Sequence, residues 1–186
     1  LKDTIKERVE QTSLLLNAQY NQQIQIKKNQ LKDMVNLSHA HIANLHKNNK
    51  HLSQEDLFIL FNNSFKDFRF FDNNNGYFFI DDITTGKAIS FPANPKFVGK
   101  SVDKIKDKMG KDIFKSFLKT IEKTGEGFDT WYFTKPDKKG IYKKIGFVKR
   151  YEALNILIGS AIYLDDIEDD FSKNVRNILS NFKYKN

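Results

Sequence analysis

The chain contains neither glycine nor proline before Gly76, although it has nine glycines and three prolines in total. Both residues interrupt regular structure, so their absence from the first third permits one unusually long helix. Apolar residues recur there at spacings of four and seven, which is typical of an amphipathic helix. This apolar stripe comprises Ile5, Val9, Leu16, Tyr20, Ile24, Leu31, Val35 and Ile42. We therefore predict a helix over residues 1–50, about 70 Å long for roughly 45 residues.

A helix of that length cannot be buried along its whole length in a domain of 186 residues. Part of the apolar stripe should therefore pair with a partner or extend toward a membrane tether. A parallel homodimer through this N-terminal helix is one such arrangement, since an exposed apolar stripe favours helix pairing.

A second helix is predicted over residues 53–65, since Ser53 is a good N-cap and Asp56 follows three residues later. Beyond this helix the hydrophobic period changes to two, which indicates strands. The candidate strands cover residues 67–71, 76–82, 87–91, 128–134, 141–150 and 155–164. Residues 82–86 and 136–140 have the composition of hairpin loops.

Two further helices complete the pattern. Residues 111–123 have helical spacing between the third and fourth strands, and a final helix covers 166–186, where an acidic start complements the helix dipole. The order predicts an α+β fold, with a long N-terminal helix followed by a central antiparallel sheet and flanking helices. Long helices at both ends of a small sheet domain suit a module set between two membrane spans.

Composition argues against several function classes. The net charge is +8, but lysine is spread along the whole chain and arginine, which makes bidentate phosphate contacts, is rare. We therefore expect no nucleic-acid partner. The absence of cysteine excludes disulfides, thiol catalysis and cysteine-ligated metals. No nucleophile motif or acid–base pair is visible, so we expect neither an enzyme nor a cofactor.

The candidate metal motifs are incomplete. Residues 72–76 imitate a calcium loop, but the glycine comes one residue early and Ile83 stands where a glutamate should be. Of the histidines in the first helix, His39 and His46 could share a face, yet a metal site would need further ligands. We expect no metal site.

One ordered set of motifs extends from Phe65 to Ile167. It comprises Arg69 in an aromatic run, Asn75-Gly76-Tyr77-Phe78-Phe79, Pro92, Asn94-Pro95, Gly99, Asp107 with Gly110, Gly127-Phe128, Lys135-Pro136, Lys144, Gly159, and Tyr163 followed by Asp165-Asp166. In order and spacing this set resembles the single-Cache family of bacterial extracytoplasmic sensor domains. Each motif alone is weak, but the ordered set is specific.

The resemblance implies a PAS-like fold with a ligand pocket on one face of the sheet. It further implies one sensor domain over 1–186, with a core at 53–165 and a last helix that leads toward a second membrane span. Such domains form the periplasmic part of inner-membrane receptors that drive chemotaxis, a histidine kinase or a cyclic-di-nucleotide enzyme. The ligands known for the family are mostly small organic acids such as acetate, propionate and pyruvate.

Binding a short carboxylate requires a fixed positive charge in an otherwise apolar cavity. Arg69 and Lys144 are the candidate charges. If residues 67–71 form a strand, alternation places Asp67 and Arg69 on one face, and Asp67 could instead neutralise the guanidinium. Lys144 could equally be an ordinary solvated lysine. Both alternatives remain open at this stage.

Aromatic strand residues supply the rest of the predicted site. Tyr77 and Phe79 share a face, and Tyr163 lies near the end of the last strand. Such residues more often pack in a core than contact a ligand, although a buried tyrosine hydroxyl still needs a hydrogen-bond partner.

The chain departs from the single-Cache pattern at several of these positions. Phe91 stands where the resemblance implies histidine, Trp131 where it implies tyrosine, Gly146 where it implies serine, and Phe147 where it implies tyrosine. If they line the cavity, it has fewer polar groups and more apolar area than the pattern implies. We hypothesise a ligand with a longer apolar part than acetate, anchored mainly by charge. The alternative is a helical interaction module with a vestigial pocket.

Overall fold

The computed structural model describes residues 2–71, 74–135 and 138–183. It contains helices α1 (Lys2–Asn48), α2 (Gln54–Phe65), α3 (Ile113–Ile121) and α4 (Leu164–Lys183), and strands β1 (Phe78–Asp82), β2 (Lys87–Ser90), β3 (Glu126–Phe133), β4 (Tyr142–Tyr151) and β5 (Ile156–Tyr163). The described strands form one antiparallel sheet in the order β2-β1-β5-β4-β3. This architecture confirms the predicted α+β fold with a long N-terminal helix.

From about Tyr20 onward, α1 packs on the sheet and against α4. Leu31, Val35 and Ile42 are fully buried there, whereas Ile5 and Val9 in the N-terminal half are 58% and 63% exposed. The apolar stripe predicted from the sequence therefore has two parts, one buried in the core and one exposed. No described helix contains an apolar stretch that could cross a membrane.

An ion-pair network holds the buried half of α1 against the sheet. Glu126 of β3 lies 2.6 Å from Nζ of Lys32 on α1 and 2.8 Å from Nζ of Lys149 on β4. Lys149 also donates a hydrogen bond to the side chain of Asn36. Both lysines lower the pKa of Glu126 through hydrogen bonds and charge. The network thus connects α1 with the two strands at one side of the sheet.

The start of α2 is capped as predicted. Ser53 accepts a hydrogen bond from the backbone N–H of Asp56 at 3.1 Å and donates one to its carboxylate at 2.7 Å. Leu57, Phe61 and Phe65 then bury one face of the helix in the core. The cap and this apolar face together account for the position of the second helix.

The predicted strand at 67–71 is wrong. The residues there form only an isolated bridge between Phe70 and Gly76, and Phe71 has a left-handed backbone with a φ of 64°. β1 pairs with β2 on one side and β5 on the other, so β1 has no free edge with which this segment could pair. The alternation assumed for Arg69 and its neighbours therefore does not apply, and Phe68 is 53% exposed.

The predicted hairpin at 82–86 is confirmed. Gly86 has a φ of 65°, which glycine tolerates at no steric cost, and its N–H donates to the carbonyl of Asp82 at 2.8 Å. The Asp82 carboxylate also accepts hydrogen bonds from Thr84 and Thr85. The calcium-like segment and the second hairpin depend on residues 72–73 and 136–137, which lie outside the described residues.

The two faces of the sheet have different coverings. One face packs against α1 and α2 through a cluster that includes Phe78, Ile80 and Phe147. The other face carries Phe79 and Trp131 and is covered by α3 and the segment that precedes it. The second face encloses a cavity.

Candidate functional site

A cavity of about 520 Å³ lies between the second face of the sheet and α3. This volume falls within the range typical of small-molecule sites. Its wall includes residues from every described strand except β2. They are Tyr77, Phe79 and Asp81 near or on β1, Trp131 and Phe133 on β3, Lys144 on β4 and Tyr163 on β5. Phe91, Pro92, Phe97, Val102, Ile105, Ile113, Phe114 and Phe117 close the opposite side. The enclosure is mainly aromatic and aliphatic.

Lys144 places a positive charge in this wall. The residue is only 6% exposed. Its Nζ lies 4.6 Å from the ring centroid of Tyr163, 5.4 Å from that of Tyr77 and 5.9 Å from that of Trp131. Among the described residues no carboxylate forms an ion pair with it, although the equally buried Lys135 has two such partners. Lys144 is therefore a buried cation in an aromatic enclosure, without a described counterion.

The neighbouring lysine provides a contrast. Lys143 precedes Lys144 on β4, so its side chain leaves the opposite face of the sheet. It is exposed, and its Nζ lies 6.0 Å from the ring centroid of Tyr132. Strand alternation alone thus separates an ordinary surface lysine from the cavity lysine.

Stacked aromatic rings form the floor of the cavity. Phe79 lies parallel to Phe117 with centroids 5.4 Å apart, and Phe117 meets Trp131 edge-on at 5.1 Å. Two glycines make room for these rings, because a Cβ on Gly159 would overlap Phe79 and a Cβ on Gly146 would overlap Trp131. Gly146 therefore lies beneath the indole and does not reach the cavity wall.

Arg69 lies at the rim of the cavity. Its guanidinium donates to the carbonyls of Phe68 at 2.8 Å, Lys66 at 3.1 Å and Pro92 at 3.2 Å. It thereby joins the segment after α2 to the loop that follows β2. Among the described residues Arg69 forms no ion pair, so the alternative in which Asp67 neutralises it is not what this structure contains. The residue as a whole is exposed although it lines the cavity.

Lys135 connects the cavity wall with α4. Its side chain is 1% exposed, and its Nζ lies 2.6 Å from both the Asp165 and Asp166 carboxylates. The same ammonium lies 4.6 Å from the ring centroid of Tyr163, whose hydroxyl donates to the carbonyl of Thr134 at 2.9 Å. Unlike Lys144, Lys135 has its charge balanced by the first turn of α4.

Asp81 is a cavity residue that sequence reasoning missed. It is 4% exposed, and its Oδ1 has no hydrogen-bond partner. Burial raises the pKa of its carboxyl to about 8. Asp81 could have been predicted from the sequence, because strand alternation places it on the same face as Tyr77 and Phe79.

The structure brings together seven of the eight site residues predicted from the sequence. Those that line the cavity are Arg69, Tyr77, Phe79, Phe91, Trp131, Lys144 and Tyr163. Gly146 supports Trp131 from below. Phe147, one of the departures from the family pattern, lies on the opposite face, where it packs against Phe128 with centroids 4.8 Å apart. The departures that change the cavity are therefore Phe91 and Trp131.

The two histidines that could share a face do so, and both are half-buried beside Tyr151. His46 Nδ1 lies 2.9 Å from the hydroxyl of Tyr151, and His39 Nε2 lies 3.2 Å from the carbonyl of Arg150. The described residues contain no group of metal-ligating side chains that could hold an ion. These histidines are accounted for by their hydrogen bonds and ring contacts.

Sequence comparisons identify relatives among bacterial chemoreceptors. The Cache domain family model matches residues 1–186. The methyl-accepting chemotaxis protein McpP of Pseudomonas putida is 26% identical over 104 residues, a match that covers 56% of this chain and 19% of McpP. The chain thus spans about a fifth of the length of this curated relative.

Comparison with solved structures supports the same fold. A methyl-accepting chemotaxis protein from Vibrio parahaemolyticus gives a TM-score of 0.68 at 23% identity, and the match covers 82% of this chain and 98% of that one. A periplasmic sensor domain of a chemotaxis protein gives 0.64 at 22% identity, with 74% and 94% covered. A Cache chemosensory domain studied for carboxylic acid recognition also gives 0.64 at 22% identity, with 75% and 94% covered.

Proposed function

Since the chain belongs to the Cache domain family, whose relatives here are sensor domains of chemotaxis receptors, we propose that its cavity binds a small organic carboxylate and reports that binding through α4. On this proposal the chain is the extracytoplasmic, non-enzymatic part of an inner-membrane receptor. The curated relative is a methyl-accepting chemotaxis protein, which favours a chemotaxis output over a kinase or a cyclic-di-nucleotide enzyme.

The observation that carries the proposal is the unneutralised charge of Lys144. A buried cation without a counterion is costly, because desolvation removes the water that stabilises it. A ligand carboxylate would supply the counterion and form a charge-assisted hydrogen bond. The rings of Tyr77, Trp131 and Tyr163 surround the ammonium and contribute cation–π contacts to it.

The apolar walls favour a ligand larger than acetate. Phe91 and Trp131 replace the more polar residues of the family pattern and both line the cavity. The cavity volume of about 520 Å³ leaves room for an aliphatic or aromatic part beyond the carboxylate. The carboxylic acid recognition studied in a Cache chemosensory domain supports the ligand class, and the walls here point to its less polar members.

The cavity wall around Lys144 is directly connected to α4. Tyr163, which contacts the Lys144 ammonium, is the last residue of β5, and α4 begins at Leu164 without a loop. Lys135 fixes the first turn of α4 to the same wall through Asp165 and Asp166. A ligand that binds one arrangement of this wall more tightly shifts the population of α4 positions relative to α1.

The test is thermal stability and calorimetry with acetate, propionate, pyruvate and hexanoate. A bound carboxylate at 100 times its dissociation constant should stabilise the domain by about 2.7 kcal/mol. Lys144→Met should abolish the shift, while Lys143→Met, which removes an exposed lysine from the opposite face, should retain it. Arg69→Ala should weaken binding less than Lys144→Met, because Arg69 lies at the rim.

Two results would contradict the proposal. The first is that no carboxylate of the panel stabilises the wild-type domain. The second is that Lys144→Met and Lys143→Met bind the same ligand equally well. The first result would favour the helical interaction module, for which the exposed apolar residues of α1, such as Ile5 and Val9, are the supporting observation. The second would mean that a residue other than Lys144 anchors the ligand.

A further inference from the structure

The cavity wall also includes a buried carboxylic acid, Asp81, far from Lys144. Asp81 lies on the cavity face of β1, is 4% exposed and has an Oδ1 without any hydrogen-bond partner. Burial of a polar oxygen without a partner is unfavourable, because the oxygen loses its hydrogen bonds to water. Its sequence neighbour Asp82 is different, because both of its carboxylate oxygens accept hydrogen bonds within the adjacent turn.

The sheet register gives the separation of the two polar residues. Lys144 is paired with Tyr163 and Asp81 with Leu157, both on β5. Leu157 and Tyr163 are six residue steps apart on β5, which correspond to about 20 Å along the strand. Asp81 and Lys144 therefore mark opposite ends of an elongated cavity.

The wall between these two ends is apolar. Phe79 and Phe117 stack across the middle, and Val102 and Phe114 lie on the side of Asp81. Among the described residues no side chain donates a hydrogen bond to Asp81, and none forms an ion pair with Lys144. A ligand in the cavity could therefore provide the missing partner of each group.

We propose that the ligand carries a hydrogen-bond donor, a hydroxyl or an ammonium group, at the end opposite its carboxylate. This inference rests on the proposed function, since it assigns the carboxylate to Lys144. The donor binds Asp81, and an apolar spacer of several carbons lies along Phe79 and Phe117. The ligand class is thus an ω-hydroxy or ω-amino carboxylate, or a molecule of the same polarity pattern.

The experiment compares matched ligands by calorimetry. The plain acids are butanoate, hexanoate and octanoate, and each is compared with its ω-hydroxy and ω-amino counterpart. For the chain length that fits best, the wild type should bind a donor-bearing member about tenfold more tightly than the plain acid. A hydroxyl preference and an ammonium preference both support the inference and identify the donor.

Two variants assign that preference to Asp81. Asp81→Leu should remove it, with affinity for the plain acid retained or increased. Asp81→Asn should retain a hydroxyl preference but lose an ammonium preference, because it keeps a hydrogen-bonding group without charge. Circular dichroism confirms that each variant is folded.

The outcomes separate this inference from the proposed function. If no member of the series binds, the proposed function fails. If the acids bind and require Lys144, but Asp81→Leu discriminates between them as the wild type does, only the present inference is overturned. It is overturned equally if the wild type binds every plain acid as tightly as its donor-bearing counterparts.

Discussion

The side chain of Lys135 is only 1% exposed, and its ammonium lies 2.6 Å from Oδ1 of Asp166. Asp165 accepts from the same ammonium at the same distance. Lys135 lines the cavity, and both carboxylates belong to the first turn of α4. One buried cation therefore contacts both the cavity wall and the start of the C-terminal helix.

Replacement of Lys135 should detach α4 from the cavity wall. Lys135→Met leaves Asp165 and Asp166 without their shared partner, and we expect the free energy of unfolding to fall by about 2 kcal/mol. The loss should be smaller than for a fully buried pair, because both carboxylates keep some exposure. Denaturant titration measures the change. Lys138→Met, which removes a 41% exposed lysine that pairs with Asp165 and Asp169, should have little effect. Equal losses of unfolding free energy in the two variants would mean that Lys135 does not hold α4 to the cavity wall.

Ligand binding should alter the dynamics of the first turn of α4. Because Tyr163 and Lys135 both belong to the cavity wall, a bound carboxylate should change backbone hydrogen exchange in residues 164–170. In Lys135→Met the same ligand should still bind but should affect this turn less. Mass spectrometry of exchange with and without hexanoate measures both effects. Exchange changes confined to α3 and its preceding loop would argue against the route through Lys135.

The periodic elements of the fold could be predicted from the sequence. The long helix followed from an apolar stripe uninterrupted by glycine or proline, and five of the six candidate strands were present. The strand at 67–71 failed because its pattern could not reveal that β1 has neighbours on both sides. Pairing partners are a property of the whole sheet, and alternating aromatics alone do not specify them.

The site was predictable where it depended on alternation. Lys144, Tyr77 and Phe79 reach the cavity because strand faces alternate, and the same rule would have found Asp81. Because the expected ligand was an anion, no carboxyl was among the residues predicted to contact it. Gly146 could not be interpreted in advance, since its role depends on where the Trp131 ring lies in space.

Gly146 and Trp131 should behave as a coupled pair. Gly146→Ser places a side chain where the indole now lies, and overpacking of this kind is unfavourable by about 1–3 kcal/mol. The smaller ring of Trp131→Tyr should make room for that serine. We therefore expect the double variant to be more stable than the sum of the single effects predicts, as measured in a double-mutant cycle. Additive effects would mean that the serine and the ring do not compete for space.

The exposed half of α1 should mediate self-association, which remains a prediction. Ile5 and Val9 are 58% and 63% exposed on the apolar stripe. Val9→Asp should shift the domain toward monomer in sedimentation equilibrium without lowering its free energy of unfolding as a monomer. Gln11→Asp adds the same charge off the stripe and should leave association unchanged. A wild-type domain that stays monomeric at high concentration would exclude a homodimer through this surface.

The buried carboxyl of Asp81 should make stability depend on pH. Burial raises its pKa from about 3.8 to about 8, so between these values the folded protein holds a proton that the unfolded chain releases. The stabilising contribution of that proton is fully present below the lower value and is lost as the pH rises toward the upper one. Asp81→Asn cannot ionise, and its stability relative to the wild type should therefore increase with pH across this range.

The slope of that difference is bounded by about 1.4 kcal/mol per pH unit, the value for one proton. Denaturant titrations of both proteins at several values between pH 4.5 and 8 measure it, and Asp67→Asn controls for the loss of one exposed carboxylate. A constant difference across the range would mean that Asp81 is ionised in the folded protein. In that case an unseen cation or a hydrated cavity, not a neutral carboxyl, would have to stabilise this end of the site.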